Sequence, residues 1–97
     1  MKDRIREIAC GPEQARAIAR VIRAYADAAF PAGGSECAQV SRATLLETAA
    51  RCEQHAGGAL SLRRRQLPVL RGAVRWALSE DGPADINAPA DLERLFD

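Results

Sequence analysis

From Pro12 to Phe30 the chain contains no internal glycine or proline, and this stretch constrains the fold more than any other. Ile18, Val21, Ile22, Tyr25 and Ala29 recur at i, i+3, i+4 and i+7 spacing, which lines one face of an α-helix. Arg16, Arg20, Arg23 and Asp27 fall on the opposite face. Arg23 and Asp27 are four apart, an ion-pair spacing worth about 0.3 kcal/mol on a helix. Pro12 suits a first helical position, where its missing N–H costs nothing, and Glu13 sits near the positive end of the helix dipole. Pro31 ends the element.

The other segments read as helices that would bury this face. Residues 3–9 read as a short helix with Ile5 and Ile8 on one side, interrupted by Gly11-Pro12. A second long helix runs over 41–56, starting at Ser41 or a turn earlier near Ser35. In the first case Val40 would staple onto Leu45. Its buried stripe is Leu45, Thr48, Ala49, Cys52 and Ala56, and Gly57-Gly58 stops it. Leu67, Leu70, Val74, Ala77 and Leu78 share a face, which predicts a helix over 68–80 with Pro68 in its first turn. Residues 61–66 are either a separate short helix capped by Ser61 or the first turns of one helix broken or kinked at Pro68. Asn87 would cap a final helix over 88–96 that docks Leu92, Leu95 and Phe96. No segment shows a convincing period-two alternation. The expectation is an all-α fold, a compact bundle of four to five helices, forming one domain over 1–97.

Size and composition narrow the setting. A chain of 97 residues buries roughly 60–70% of its unfolded surface, a modest core. Twenty alanines let helices approach closely, but each contact buries little area, so a homodimer would add useful buried surface. Cys10, Cys37 and Cys52 are an odd number with no CxxC pair, which predicts a reducing, cytoplasmic setting rather than a disulfide framework. No apolar run reaches the roughly 18–20 residues a membrane span needs, and the first residues lack the apolar region of a secretory signal.

Arginine is the distinctive chemistry. Thirteen of the fourteen basic residues are arginine, and Arg63, Arg64 and Arg65 are consecutive, followed by Arg71 and Arg75 on a helical rhythm. Guanidinium is a planar, permanently charged fork that grips carboxylates and phosphates through paired hydrogen bonds. On a continuous or gently kinked helix Arg64, Arg71 and Arg75 form one stripe, and Trp76 stands beside it. Tryptophan and arginine are the types most enriched at binding hot spots. The bland alternatives are a GC-rich genome and a solvated face whose arginines pair with Glu47, Glu53 or Glu80, or with Asp81, Asp85 and Asp97.

Net charge is +1, which provides no global field toward nucleic acid, and no aromatic residue interleaves the arginine run as a base-stacking platform would require. A protein partner with an acidic face is therefore the leading expectation. A DNA- or RNA-binding regulator using the same arginines on phosphates is the alternative, and a structural subunit is a third. Small size and an arginine-weighted surface also suit accessory or inhibitor proteins of mobile elements, including anti-CRISPRs, an expectation resting on size and composition alone.

Chemistry-bearing patterns are sparse. Cys52 and His55 have CxxH spacing with Cys37 as a third candidate ligand, but a structural zinc site takes four ligands, usually in two pairs, and His55 is the one histidine. Nothing supplies an oxyanion site to a Cys52–His55 nucleophile pair, and the two Gly-Gly steps lack the pattern of a phosphate loop. The sequence predicts a non-enzymatic protein with no cofactor and no metal.

Overall fold

The computed structural model describes residues 4–80, 82 and 92–96. Three α-helices, α1 (Pro12–Ala29), α2 (Glu36–Glu53) and α3 (Leu67–Leu78), are joined by an antiparallel pair of strands, β1 (Ile5–Ala9) and β2 (Ala59–Arg63). Short 3-10 turns follow over Arg64–Gln66 and Leu92–Phe96. The expected all-α bundle of four to five helices is therefore incorrect. Two of the segments read as short helices pair with each other as strands.

The physical reason lies in their side chains. Ile5 and Ile8 are three apart, which places them together on a helix but on opposite faces of a strand. Ile8 is buried while Ile5 is 53% exposed, the strand outcome. In β2, Leu60 and Leu62 face the core while Ala59, Ser61 and Arg63 face out. The register pairs Ile5 with Arg63, Glu7 with Ser61 and Ala9 with Ala59. The ladder continues past both ends: the Arg64 N–H donates to the Arg4 carbonyl at 2.8 Å and the Cys10 N–H to the Gly58 carbonyl at 3.0 Å. Gly57 and Gly58 have φ of 128° and 79°, a left-handed turn that side chains resist, and they swing the chain from the end of α2 into β2.

The central element is α1. Ala15, Ala17, Ile18, Ala19, Val21, Ile22 and Ala26 are buried, more than one face of the helix, because α2 packs along one side and α3 along another. The small alanines allow that double approach. The Gln14 side chain accepts from the Gly11 N–H at 2.9 Å and closes the start of α1. Phe30, not a glycine, follows its last turn.

Helix α2 starts at the earlier of the two candidate positions. The Ser35 hydroxyl accepts from the Ala38 N–H at 3.2 Å, the geometry of an N-cap. Val40 is consequently inside the helix and 67% exposed, rather than a staple on Leu45. Leu45, Thr48, Ala49 and Cys52 form the buried stripe, whereas Ala56 lies beyond the helix and is exposed. The 3-10 turn over Arg64–Gln66 separates β2 from α3, and Pro68 lies within the first turn of α3, so the break falls before Leu67 and not at Pro68. Leu92 and Phe96 are fully buried against α3 and close to β1. Asn87 and residues 88–91 lie outside the described residues. No helix among the described residues is long and apolar enough to cross a membrane.

Candidate functional site

The six residues singled out by sequence go to three places. Arg63 ends β2, Arg64 and Arg65 form the 3-10 turn, and Arg71, Arg75 and Trp76 belong to α3. A strand followed by a tight turn rotates side chains differently from a helix, so the predicted single stripe does not form.

Arg71 and Arg75 turn toward the Leu92–Phe96 segment. The Arg71 guanidinium donates through Nη2 to the main-chain carbonyl of Phe96, while its Nε is buried with no hydrogen-bond partner among the described residues. Arg75 Nε meets Glu93 Oε1 at 2.5 Å. These two side chains hold the segment that closes the core. The carboxylate that meets Arg75 is that of Glu93, which the sequence did not point to as its partner; Asp81, Asp85 and Asp97 lie outside the described residues. Glu47 and Glu53 instead face Arg51 at 4.0 Å and Arg23 at 2.6 Å. Trp76 is half-buried, with its ring edge-on to Tyr25 at 5.7 Å, and Tyr25 is in turn edge-on to Phe30 at 6.3 Å. That ladder of rings ties α3 to the end of α1.

Arg63 and Arg65 occupy a different surface. They line one wall of a groove of about 320 Å³, with Gln66 and Val69 continuing the same wall. The facing wall is the first half of α2, through Val40, Ser41, Thr44 and Leu45, and Phe30 also lines the groove. No carboxylate is among the described residues that line it, and Arg63 and Arg65 each already take part in an interaction within the chain. On the α2 wall the Thr44 hydroxyl donates back to the Val40 carbonyl at 3.0 Å. Deeper in, the buried Thr48 hydroxyl lies 3.0 Å from the Thr44 carbonyl and 3.1 Å from Gln66 Oε1, which fixes the Gln66 side chain between the walls. Two exposed valines stand on opposite sides, Val40 at 67% and Val69 at 43%. A smaller polar cleft of about 40 Å³ adjoins it, shares Thr44, Arg63 and Gln66, and adds Glu47 and Arg51.

Sequence reasoning found the two arginines of this groove but not its apolar part. A signal was present. Val69 belongs to no buried stripe, and the start of α2 at Ser35 removes the staple on Leu45 that would have given Val40 a packing role.

The Cys52–His55 pair is structural. His55 Nε2 lies 2.8 Å from the Cys10 carbonyl and, facing a carbonyl, must be the protonated nitrogen. Cys52 is fully buried, and burial, with Cys10 and Glu53 adding to it, pushes its thiol from 9.0 up to about 11. Burial also raises the Cys10 thiol. Such thiols are poor nucleophiles at neutral pH. No group of histidine, cysteine and carboxylate side chains suited to a metal ion occurs among the described residues.

Comparison with protein-family models, with curated proteins and with solved structures yields no match.

Proposed function

We propose that this chain is a small non-enzymatic binding protein that docks an acidic partner protein onto the groove between α2 and the Arg63–Val69 segment. The observation that supports this reading is the lining itself, in which the arginines Arg63 and Arg65 stand beside the exposed Val40 and Val69. Such a surface favours anions of fixed geometry, since arginine binds carboxylates in paired hydrogen bonds. Hydroxyl, amide and guanidinium groups border the groove, and no histidine, cysteine or carboxylate that would act as a general base is among the described residues that line it. The three free thiols suit a reducing cytoplasm. A regulatory or inhibitory role, as in accessory proteins of mobile elements, is what such a docking surface would serve.

Fluorescence anisotropy with a labelled glutamate-rich peptide and with labelled duplex and single-stranded oligonucleotides tests the reading. The expected result is peptide binding that weakens with salt and is lost in the Arg63→Glu/Arg65→Glu variant. Tighter binding of an oligonucleotide, with log K falling against log salt by about 0.9 per duplex phosphate neutralised, would replace it with the nucleic-acid alternative.

A further inference from the structure

We infer that the chain pairs with a second copy of itself along the open edge of β2, the two β2 strands running antiparallel about a two-fold axis at Ser61 to make a four-stranded sheet. This is independent of what the groove binds.

The ladder dictates which main-chain groups are left over. In an antiparallel pair, residues that exchange hydrogen bonds alternate with residues whose N–H and C=O point away from the partner strand. The bonds from Arg64 to Arg4 and from Cys10 to Gly58 fix the phase, so Arg6 bonds with Leu62 and Ile8 with Leu60. Ile5, Glu7 and Ala9 therefore turn their main-chain groups to the outer side of β1, and Ala59, Ser61 and Arg63 turn theirs to the outer side of β2. The sheet has two strands, so both outer sides are edges. Among the described residues, nothing hydrogen-bonds to the outward groups of Glu7, Ala59 or Ser61. Ala59 and Ser61 are also exposed. An edge of this kind is a template for a further strand, recognised through its main chain.

The two edges differ in what they accept. Pairing β1 with a second β1 over its full length sets Glu7 directly opposite the partner's Glu7, and like charges so placed are destabilising. The same operation on β2 sets Ser61 opposite the partner's Ser61 and Leu60 opposite the partner's Leu62. The Ser61 pair closes two main-chain hydrogen bonds and carries no charge. Leu60 and Leu62 face the core in each copy, so the apolar row continues across the axis. Arg63 and the partner's Arg63 end up about 14 Å apart along the strands, beyond a screening length of about 8 Å. Joining β1 of one copy to β2 of the next would leave an open edge at each end and grow a filament, whereas pairing about Ser61 closes after two copies. The outer edges of the resulting sheet are then the two β1 strands, each with a carboxylate at its middle, which is how exposed edges resist further pairing.

Two short strands make a small contact. Interfaces below about 1,200 Å² mark weak association, so the dimer forms and dissociates with concentration.

Sedimentation over a concentration series, with amide hydrogen exchange on the same samples, tests the inference. The mass is expected to rise from one chain to two, with protection of the Ser61 amide increasing about tenfold in step and the Glu7 amide staying unprotected. Ser61→Glu puts two carboxylates on the axis at an exposed position and should hold the chain monomeric, with the thermal transition of dilute protein unchanged. Ser61→Pro removes an N–H that β1 does not use and should do the same. A mass of one chain at every concentration would overturn the inference, and so would a dimer that survives Ser61→Glu or leaves the Ser61 amide unprotected. Protection of the Glu7 amide, or growth past two chains, would assign the pairing to β1 and overturn it as well.

Discussion

Arg42 reaches from α2 to the end of α1 and donates to the main-chain carbonyl of Phe30 at 3.1 Å. The same guanidinium lies 3.3 Å from the Ala26 carbonyl and 2.8 Å from Asp27. One side chain therefore satisfies the Phe30 carbonyl, adds a second donor to the Ala26 carbonyl that already accepts from the Phe30 N–H, and places a positive charge at the negative end of the α1 dipole. Asp27, predicted to pair with Arg23 along α1, pairs across the helix hairpin instead.

Replacing Arg42 by alanine removes charge-assisted hydrogen bonds at a partly buried helix end and is expected to cost about 1–3 kcal/mol. Arg42→Lys should recover only part of this, since an ammonium cannot span both carbonyls and the carboxylate with a planar fork. Urea denaturation of the two variants against the parent protein checks both values.

Arg23 and Glu53 form a second tie between α1 and α2, with two hydrogen bonds of 2.9 and 2.6 Å. The Arg23 hydrogen bonds hold the Glu53 carboxyl below its ordinary 4.5. A carboxyl depressed in the folded state leaves the unfolded chain binding more protons as acid is added. Its stabilising contribution is thus complete above 4.5 and fades as pH falls through the lower folded value. An NMR titration should place the Glu53 midpoint under that of the ordinary carboxyl, and Glu53→Gln should flatten this part of the acid limb. Both side chains are more than 40% exposed, so the effect is small and diminishes with salt.

Thiol chemistry should divide the cysteines. Cys37 is exposed, while Cys10 and Cys52 are buried. A disulfide reagent added to native protein should modify one thiol rapidly and the other two only at the rate of unfolding. The elevated Cys52 thiol also sets an alkaline limit. Between pH 9.0 and about 11 the unfolded chain ionises at this position while the folded one does not, so stability falls as pH rises through that window. Cys52→Ala should lose this component of the alkaline decline, although it also leaves a small cavity.

Phe96→Ala is expected to destabilise by about 3–5 kcal/mol, as for other fully buried aromatics. Glu93→Gln, by contrast, disturbs a contact whose two side chains are 38% and 60% exposed and should change stability by less than about 1 kcal/mol. Thermal unfolding of the pair separates apolar closure of the core from the ionic contact at its edge.

The long helices were legible because their signals are long. Several turns of repeated spacing identify α1, and breakers at Pro31 and Gly57-Gly58 bound α2. The strands were not legible because five residues contain too few periods to separate two from 3.6. Ile5 and Ile8 satisfy a helical spacing that the pairing of β1 with β2 overrides, and Leu60-Ser61-Leu62 is an alternation of a single cycle. The site divided along the same line. Treating 63–75 as helix put Arg71 and Arg75 beside Arg64, whereas the strand and turn send Arg63 and Arg65 toward α2. The partners of Arg71 and Arg75 lie some twenty residues further on, a distance that local spacing does not encode.

The ribbon joining residues 5–9 to 59–63 has a consequence for the loop between α1 and α2. That loop, around Ala32–Gly34, lies at the surface, and everything it connects is held elsewhere by strand pairing and helix packing. Cleavage there should yield two pieces that migrate as one particle until denatured, and the halves supplied as separate polypeptides should find each other. Size-exclusion chromatography of the nicked protein, before and after denaturation, checks this.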